Sequence, residues 1–181
     1  HRIFAQAIYP RGMEQKAPEI IFTLLIGVGL ISTLGVLKFS GTQLRQEFRK
    51  IAMFLASLVA VGATLGSLYF SEVRGFLPCD WCWYQRIAMY PLAVILPMAT
   101  FRRDRRIIPY ALVFTAAGAG ISIYHYQLQA FPGQGSSCSL NASCTYRWIE
   151  VFGFASIPML ALGSFVLIGI LLLATPRPWK G

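Results

Sequence analysis

The sequence predicts an all-α integral membrane protein, built as a four-helix antiparallel transmembrane bundle with one extra transmembrane helix at its N-terminal end. Three observations support this fold class. Of the 181 residues, 56% are hydrophobic and 13% are charged, whereas about 25% of the residues of a typical soluble domain are charged. The apolar residues fall into five long segments, and the basic residues collect in short stretches between these segments.

Each apolar segment approaches the roughly 20 residues that an α-helix needs to cross about 30 Å of hydrocarbon. The third segment is the shortest, and it contains Pro91 and Pro97. Membrane helices tolerate such prolines where neighbouring groups satisfy the freed carbonyls. We place the five helices at residues 18–37, 51–70, 85–101, 107–127 and 154–174.

The lysines and arginines predict the orientation of the chain in a bacterial plasma membrane. Ten of the sixteen basic residues lie in the stretches 38–50, 102–106 and 177–181. Because cytoplasmic loops are enriched in basic residues, we expect these stretches in the cytoplasm and the loops at 71–84 and 128–153 outside. The same distribution explains the net charge of +9 without nucleic acid as a partner.

All four cysteines lie in the two outer loops, where an oxidising space lets disulfides persist. Cys79 and Cys82 form a Cys-x-x-Cys, a spacing typical of redox exchange or metal binding, since so short a loop gains little stability from a structural disulfide. Cys138 and Cys144 could equally form a structural disulfide. Zinc bound by all four cysteines is disfavoured, because oxidising surroundings remove its thiolate ligands, and we therefore predict no metal site.

Two further polar residues could serve the Cys-x-x-Cys. If the third helix begins near Cys82, the helix N-terminus favours a thiolate there, and Arg86, one turn deeper, adds a positive charge. Arg86 could also donate hydrogen bonds to a lipid-soluble carbonyl compound such as a quinone, although arginines at helix ends often only reach for the interface. His125 is either a proton-transfer group or an interfacial polar residue.

Three stretches, "PCDWCWYQRIAMYPLAVIL", "YHYQLQ" and "CTYRWIEVFGFASIPMLAL", resemble the disulfide-bond formation protein B family, DsbB, and within it the BdbC-like branch. The resemblance covers about residues 51 to 174. It implies a quinone-dependent membrane thiol oxidase that reoxidises an extracytoplasmic thioredoxin-fold thiol oxidase of the DsbA or BdbD type. Electrons would pass by serial thiol–disulfide exchange to a quinone of the membrane pool, either menaquinone or ubiquinone.

The resemblance also implies a role for each site residue. Cys138 matches the cysteine that forms the mixed disulfide with the partner oxidase, and Cys144 is its disulfide partner. The Cys-x-x-Cys pair receives the electrons next, and Cys82 matches the cysteine that reacts with the quinone. Arg86 matches an arginine that supports this step, and His125 stands where family members often carry a histidine near the quinone.

The extra N-terminal helix departs from the four-span pattern of the family. Its Gly27, Gly29 and Gly35 would let another helix approach closely, so the chain could dock in a larger membrane complex. The alternative function is a structural accessory subunit of a respiratory or photosynthetic complex, with stapling disulfides. A vitamin K epoxide reductase-like enzyme is disfavoured, because its Cys-x-x-Cys usually follows most of the helical core. We divide the chain into residues 1–50 (tail, extra helix and basic linker), 51–174 (DsbB-like redox domain) and 175–181 (cytoplasmic tail).

Overall fold

Five α-helices form most of the molecule. A computed structural model describes residues 17–39, 41–131, 133, 144, 145, 147, 149 and 151–176. The helices are α1 (Ala17–Phe39), α2 (Thr42–Leu68), α3 (Asp80–Arg102), α4 (Ile108–Ala130) and α5 (Ile157–Ala174). Within these residues there is no β-strand, only an isolated bridge between Val151 and Ala155, and the predicted all-α fold class is confirmed.

Helices α2 to α5 form a four-membered ring, in which each helix packs on the next and α5 returns to α2. Helix α1 lies outside this ring and packs against α5 and α2. Small side chains on α2 let the neighbouring helices come close, and larger side chains of α3 and α5 fill the centre. The central residues include Ala52, Ala56, Ala60, Leu92, Leu96, Phe165 and Ile168. The structure therefore has the predicted bundle and its extra helix.

Two helix starts lie earlier in the chain than the sequence predicts. Helix α2 begins at Thr42, nine residues before the predicted start. Its first turns therefore contain most of the basic linker at 38–50. Glutamine, arginine, glutamate and lysine form helices well, but they are invisible to a search for apolar segments. Arg49 anchors these turns by donating to the carbonyl of Ala174 (2.9 Å). Helix α3 begins at Asp80 rather than at 85.

The helices have the dimensions and surface of an integral membrane protein. In the part of the chain that the structure describes, four helical segments are long and apolar enough to cross a membrane, namely Ala17–Lys38, Thr42–Val73, Arg105–Ala130 and Ile157–Ala174. Helix α3 has 23 residues and a length of about 34 Å; it is less apolar, and it buries Gln85 and Arg86 inside the bundle. Large apolar side chains such as Phe101 and Val113 are exposed, as lipid contact requires.

The segments after α2 and before α5 meet at one end of the bundle. Helix α2 ends in a wider π-helical turn, Tyr69–Val73, in which Phe70 stacks on Phe76 with ring centroids 5.9 Å apart. Phe70 also packs with Ile149 and Val151, which precede α5. Phe152 and Gly153 close a tight turn with positive φ angles of 54° and 78°. The described parts of the two predicted cysteine loops are therefore at the same end of the bundle.

Candidate active site

The Cys-x-x-Cys lies where α3 begins. Cys79 is the residue that caps the helix, with φ −79° and ψ 174°, and its carbonyl accepts a hydrogen bond from the Trp83 N–H (3.1 Å). This turn places Cys82 on the same side as Cys79, because residues three apart are neighbours on a helix. Both are free thiols, with their sulfur atoms 3.1 Å apart. Since a disulfide bond is about 2.05 Å long, a small movement would close one here.

His125, near the end of α4, meets the cysteine pair from across the bundle. Its Nε2 atom lies 3.5 Å from the Cys79 sulfur, and its side chain is almost fully buried. The start of α3 and the end of α4 thus bring the His125 imidazole, which can accept a proton, close to the Cys79 sulfur. The structure places the two sulfurs and this imidazole together.

Cys144 belongs to the same region. It forms one buried cluster with Cys79 and Leu128, against which Trp81 and Cys82 pack. Cys144 is disulfide-bonded and almost fully buried. Cys144, one member of the second predicted pair, thus lies next to the first pair.

Of that second pair, Cys138 lies outside the described residues. Its role therefore remains a prediction. On the C-terminal side of Cys144, Arg147 donates to the carbonyl of Gln129 (3.3 Å), which ties this segment to the end of α4.

Arg86 is held in place by α2 rather than by the cysteines. Its Nε and Nη2 atoms donate to the hydroxyl and the carbonyl of Ser67, at 3.0 and 3.2 Å. Its guanidinium also lies 5.0 Å from the centre of the Trp83 ring, within reach of a cation–π interaction. These contacts leave Arg86 buried, with 9% of its surface exposed. They fix the direction of a positive charge beside the Cys-x-x-Cys.

The ionisation of the reduced pair differs from the prediction that Cys82 carries the thiolate. Cys79 lies before α3, and its pKa is lowered from 9.0 to about 4. The main cause is a hydrogen bond between the Cys82 side chain and the Cys79 sulfur; burial opposes this effect, and His125 adds a hydrogen bond and a favourable charge interaction. The contacts of the pair therefore favour a thiolate at Cys79.

This ionisation predicts an unusual pH profile for alkylation of Cys79 in the reduced protein. Because the folded-state pKa is about 4, the rate with iodoacetamide should stay level from pH 8 down to about pH 5 and fall only below that. An ordinary thiol would lose about tenfold in rate per pH unit over the same range. Mass spectrometry of the Cys79 peptide measures the profile.

The Cys82→Ala variant is the control for this profile. It removes the largest cause of the lowered pKa, so the fall in alkylation rate should move to higher pH. A wild-type rate that rises tenfold per unit between about pH 5 and pH 8 would contradict the assignment of the thiolate to Cys79.

A mostly apolar cavity opens beside Cys82 and Arg86. Its volume is about 100 Å³, and its walls come from α1, α2, α3, α5 and the segment before α3. Tyr90 of α3 lines it one turn beyond Arg86. The Tyr90 hydroxyl is buried and has no hydrogen-bond partner among the residues that the structure describes. Cys82, Arg86 and Tyr90 thus line one mostly apolar cavity.

Several of these residues escape sequence reasoning. Ser67 looks like any small residue of an apolar segment, and only the packing of α2 on α3 shows that it orients Arg86. Gln85 donates to the Ser122 hydroxyl (3.1 Å), which in turn donates to the carbonyl of Gly118 (2.8 Å). This buried chain ties α3 to α4 below the cysteine pair. The adjacent polar pair Gln85 and Arg86 is the one signal that points to it.

The reduced pair and His125 could also hold a metal ion. Their three ligand atoms all lie within 4.8 Å of one another, and zinc accepts thiolate and imidazole ligands. This three-residue set differs from the four-cysteine site considered above. Absence of a metal remains a prediction, which metal analysis of the purified protein tests.

Comparisons with known proteins agree with this geometry. Residues 49–175 match the sequence model of the family "Disulfide bond formation protein DsbB". "Disulfide bond formation protein C" of Bacillus subtilis is 48% identical over 122 residues, which cover 66% of this chain and 88% of that protein. "Probable disulfide formation protein C 2" of Bacillus cereus is 46% identical over 125 residues, covering 68% and 90%.

A more distant relative extends the comparison beyond the bacilli. "Probable disulfide formation protein" of Deinococcus radiodurans is 43% identical over 140 residues, which cover 71% of this chain and 90% of that protein. No solved structure is significantly similar. The family match covers more than half of the chain and includes both cysteine regions. The chain therefore belongs to the DsbB family, in its BdbC-like branch, and is a disulfide-forming integral membrane protein.

Proposed function

We propose that this protein is a thiol:quinone oxidoreductase of the bacterial plasma membrane, which reoxidises an extracytoplasmic thioredoxin-fold thiol oxidase of the DsbA or BdbD type. One observation carries the proposal. The Cys79–Cys82 pair lies between a second, disulfide-bonded cysteine, Cys144, and an apolar cavity that contains Arg86. The Cys79–Cys82 pair can therefore exchange disulfides with Cys144 on one side and pass electrons to a lipid-soluble acceptor in the cavity on the other.

The residues around the cavity fit a quinone. A quinone ring is flat and mostly apolar and carries two carbonyl oxygens, which accept hydrogen bonds. The cavity supplies apolar walls, the Arg86 guanidinium and the Tyr90 hydroxyl, which is buried and without a partner in the described part of the chain. A buried donor without a partner is costly, and a ligand carbonyl would satisfy it. Cys82, Arg86 and Tyr90 would hold the ring.

The thiol side of the reaction is an exchange of disulfides. We propose that the partner's thiolate attacks Cys138, so that a mixed disulfide forms and Cys144 leaves as a thiolate. The partner's second thiolate then releases the oxidised partner, which leaves Cys138 and Cys144 reduced. In the next exchange this dithiol reduces the Cys79–Cys82 disulfide. The closeness of Cys144 to Cys79 in one buried cluster supports that transfer.

The second half of the cycle closes the disulfide between Cys79 and Cys82 again. Its closure releases two electrons and two protons, and a bound quinone supplies an acceptor for both. Cys79 faces the Cys82 sulfur at 3.1 Å and would bond to it as the electron pair of Cys82 passes to the acceptor in the cavity, which Cys82 lines. His125 contacts Cys79 and is placed to take up or return a proton. Arg86, fixed by Ser67, stabilises negative charge that develops in the cavity.

The proposed orientation follows from the basic residues. Arg105 and Arg49 lie at the end of the bundle opposite the cysteines, where they donate to the carbonyls of Pro176 and Ala174. Positive charge concentrates on the cytoplasmic side of membrane proteins. We therefore propose that this end faces the cytoplasm and that the cysteine end faces the oxidising exterior.

Replacement of Tyr90 by phenylalanine tests the fit of the cavity. The change removes only the hydroxyl, so we expect quinone to bind about tenfold more weakly, while thiol exchange with the partner keeps its rate. The apparent KM for a soluble quinone analogue and the rate of partner oxidation in a single turnover measure the two effects. A KM equal to that of the wild type would show that the hydroxyl does not contact the acceptor.

The function itself is tested with the purified full chain in lipid nanodiscs. A reduced thioredoxin-fold thiol oxidase and a quinone are added without oxygen, and quinol formation is followed by absorbance. We expect one quinol for each partner disulfide formed. Absence of quinol with both candidate quinones would overturn the proposal. Co-purification with respiratory or photosynthetic subunits, together with that result, would support the accessory-subunit alternative.

A further inference from the structure

The extra helix α1 forms part of the cavity wall. Phe22 and Ile26, one turn apart on α1, line the cavity that also contains Cys82 and Arg86. We infer that α1 completes the quinone site and that Phe22 and Ile26 select the acceptor ring. The inference rests on the proposed function, and it assigns the helix a role at the acceptor site rather than only in docking to other subunits.

Close packing holds these two side chains against the bundle. A Cβ atom at Gly66 of α2 would come within 2.9 Å of the Phe22 ring, and one at Gly163 of α5 within 2.6 Å of Ile26. Glycine is therefore needed at both positions to admit the α1 side chains. Phe22 also contacts Phe70, with ring centroids 5.9 Å apart. The wall is built into α2 and α5, on which α1 packs.

The glycines of α1 itself contribute less than the sequence suggests. Gly29 approaches Leu167 of α5 closely, since an added Cβ would lie 2.9 Å from it, whereas no described residue lies within 4 Å of a Cβ added at Gly27 or Gly35. The close approach of α1 thus depends on one of its own glycines and on two glycines of its neighbours.

An ion pair fixes the end of α1 nearest the cavity. Glu19 lies 3.3 Å from Arg74, and both side chains are nearly buried, at 8% and 11% exposure. Arg74 follows the π-helical turn of α2, and its guanidinium lies 5.7 Å from the centre of the Phe76 ring, another residue of the cavity wall. A buried pair of this kind specifies one arrangement, because either charge alone would be poorly solvated. It sets the position of Phe22, one turn further along.

Other apolar side chains of α1 do not line the cavity. Leu25 and Ile31 are 64% and 73% exposed, as expected of side chains that face lipid. They therefore provide controls of the same chemistry on the same helix. Their replacement changes the lipid surface and leaves the cavity wall intact.

The test compares, in nanodiscs, alanine variants of the two cavity-lining residues with alanine variants of the two exposed residues. The apparent Kd of menadione, a bicyclic quinone, and of a decyl benzoquinone, a monocyclic one, is measured by quenching of tryptophan fluorescence. We expect Phe22→Ala and Ile26→Ala to weaken binding about tenfold, and Leu25→Ala and Ile31→Ala to change it less than about twofold. Thiol exchange with the reduced partner should keep its rate in all four variants.

A narrowing variant and a labelling experiment guard against misfolding. Ile26→Phe should weaken binding of the bicyclic probe more than of the monocyclic probe, which a general loss of structure would not do. An azidoquinone should label peptides of α1 upon illumination. If wild-type protein binds both quinones but Phe22→Ala has an unchanged Kd and α1 is unlabelled, the inference fails alone. If the wild type binds neither quinone, the inference and the proposed function fail together.

Discussion

Replacement of Cys82 by serine should abolish electron transfer from the reduced partner to quinone, with a loss of at least about 10³-fold. Serine keeps the size of the side chain, but its hydroxyl can neither form a disulfide with Cys79 nor carry electrons. The sulfur atoms that must bond are 3.1 Å apart in the reduced protein, and Cys82 alone of the pair lines the cavity. Quinol formation by the nanodisc-bound variant measures the loss.

Two controls separate lost chemistry from lost structure. The variant should keep the thermal stability of the wild type within a few degrees, since one partly exposed sulfur is exchanged for oxygen. It should also still form a mixed disulfide with the partner, which a non-reducing gel would reveal. A rate of quinol formation equal to that of the wild type would reject the role of Cys82.

Replacement of Arg86 by methionine should lower the rate of quinone reduction about 10²-fold to 10³-fold, the range found when one preorganised donor to a developing negative charge is removed. Methionine keeps much of the length and apolar volume, so the main loss is the charge and its two hydrogen bonds to Ser67. Arg86→Lys keeps the charge but lacks the planar guanidinium group. Its rate of quinone reduction should lie between those of the wild type and Arg86→Met. Stopped-flow measurement of quinol formation gives the rates.

Arg105→Met is the matched control for Arg86. Arg105 also donates to a backbone carbonyl, that of Pro176 at 3.0 Å, but it lies at the other end of the bundle. We expect quinone reduction by Arg105→Met within about twofold of the wild type. Equal losses in the two variants would mean that Arg86 acts through the stability of the bundle and not at the cavity.

Much of the fold could be predicted from the sequence, because membrane helices are recognisable as long apolar segments. All five helices were predicted, and the errors fall at their ends. The start of α2 was missed because residues 42–50 are polar, although they favour a helix. The π-helical turn at Tyr69–Val73 was missed because five ordinary residues carry no sign of a wider turn.

The candidate site likewise contains residues that could be predicted from the sequence and residues that could not. Cys79, Cys82, Arg86 and His125 have chemistry that the sequence displays, and the structure places them at one end of the bundle. Ser67 and Tyr90 matter only through what they contact or fail to contact, which no spacing reveals. Phe22 could not be predicted for a further reason: its helix is not part of the four-helix pattern, so only packing shows that it reaches the cavity.

The buried polar residues of α3 have a consequence for the synthesis of the protein. Helix α3 falls short of the apolar character that the other four segments reach, and an arginine such as Arg86 makes it costlier for a lone helix to enter a bilayer, by about 3 kcal/mol at the bilayer centre and by less near the interface. In the folded protein Ser67 of α2 accepts its hydrogen bonds. We therefore expect the translocon to release α2 and α3 into the lipid together, as a hairpin. The third span then enters the membrane only in contact with the second.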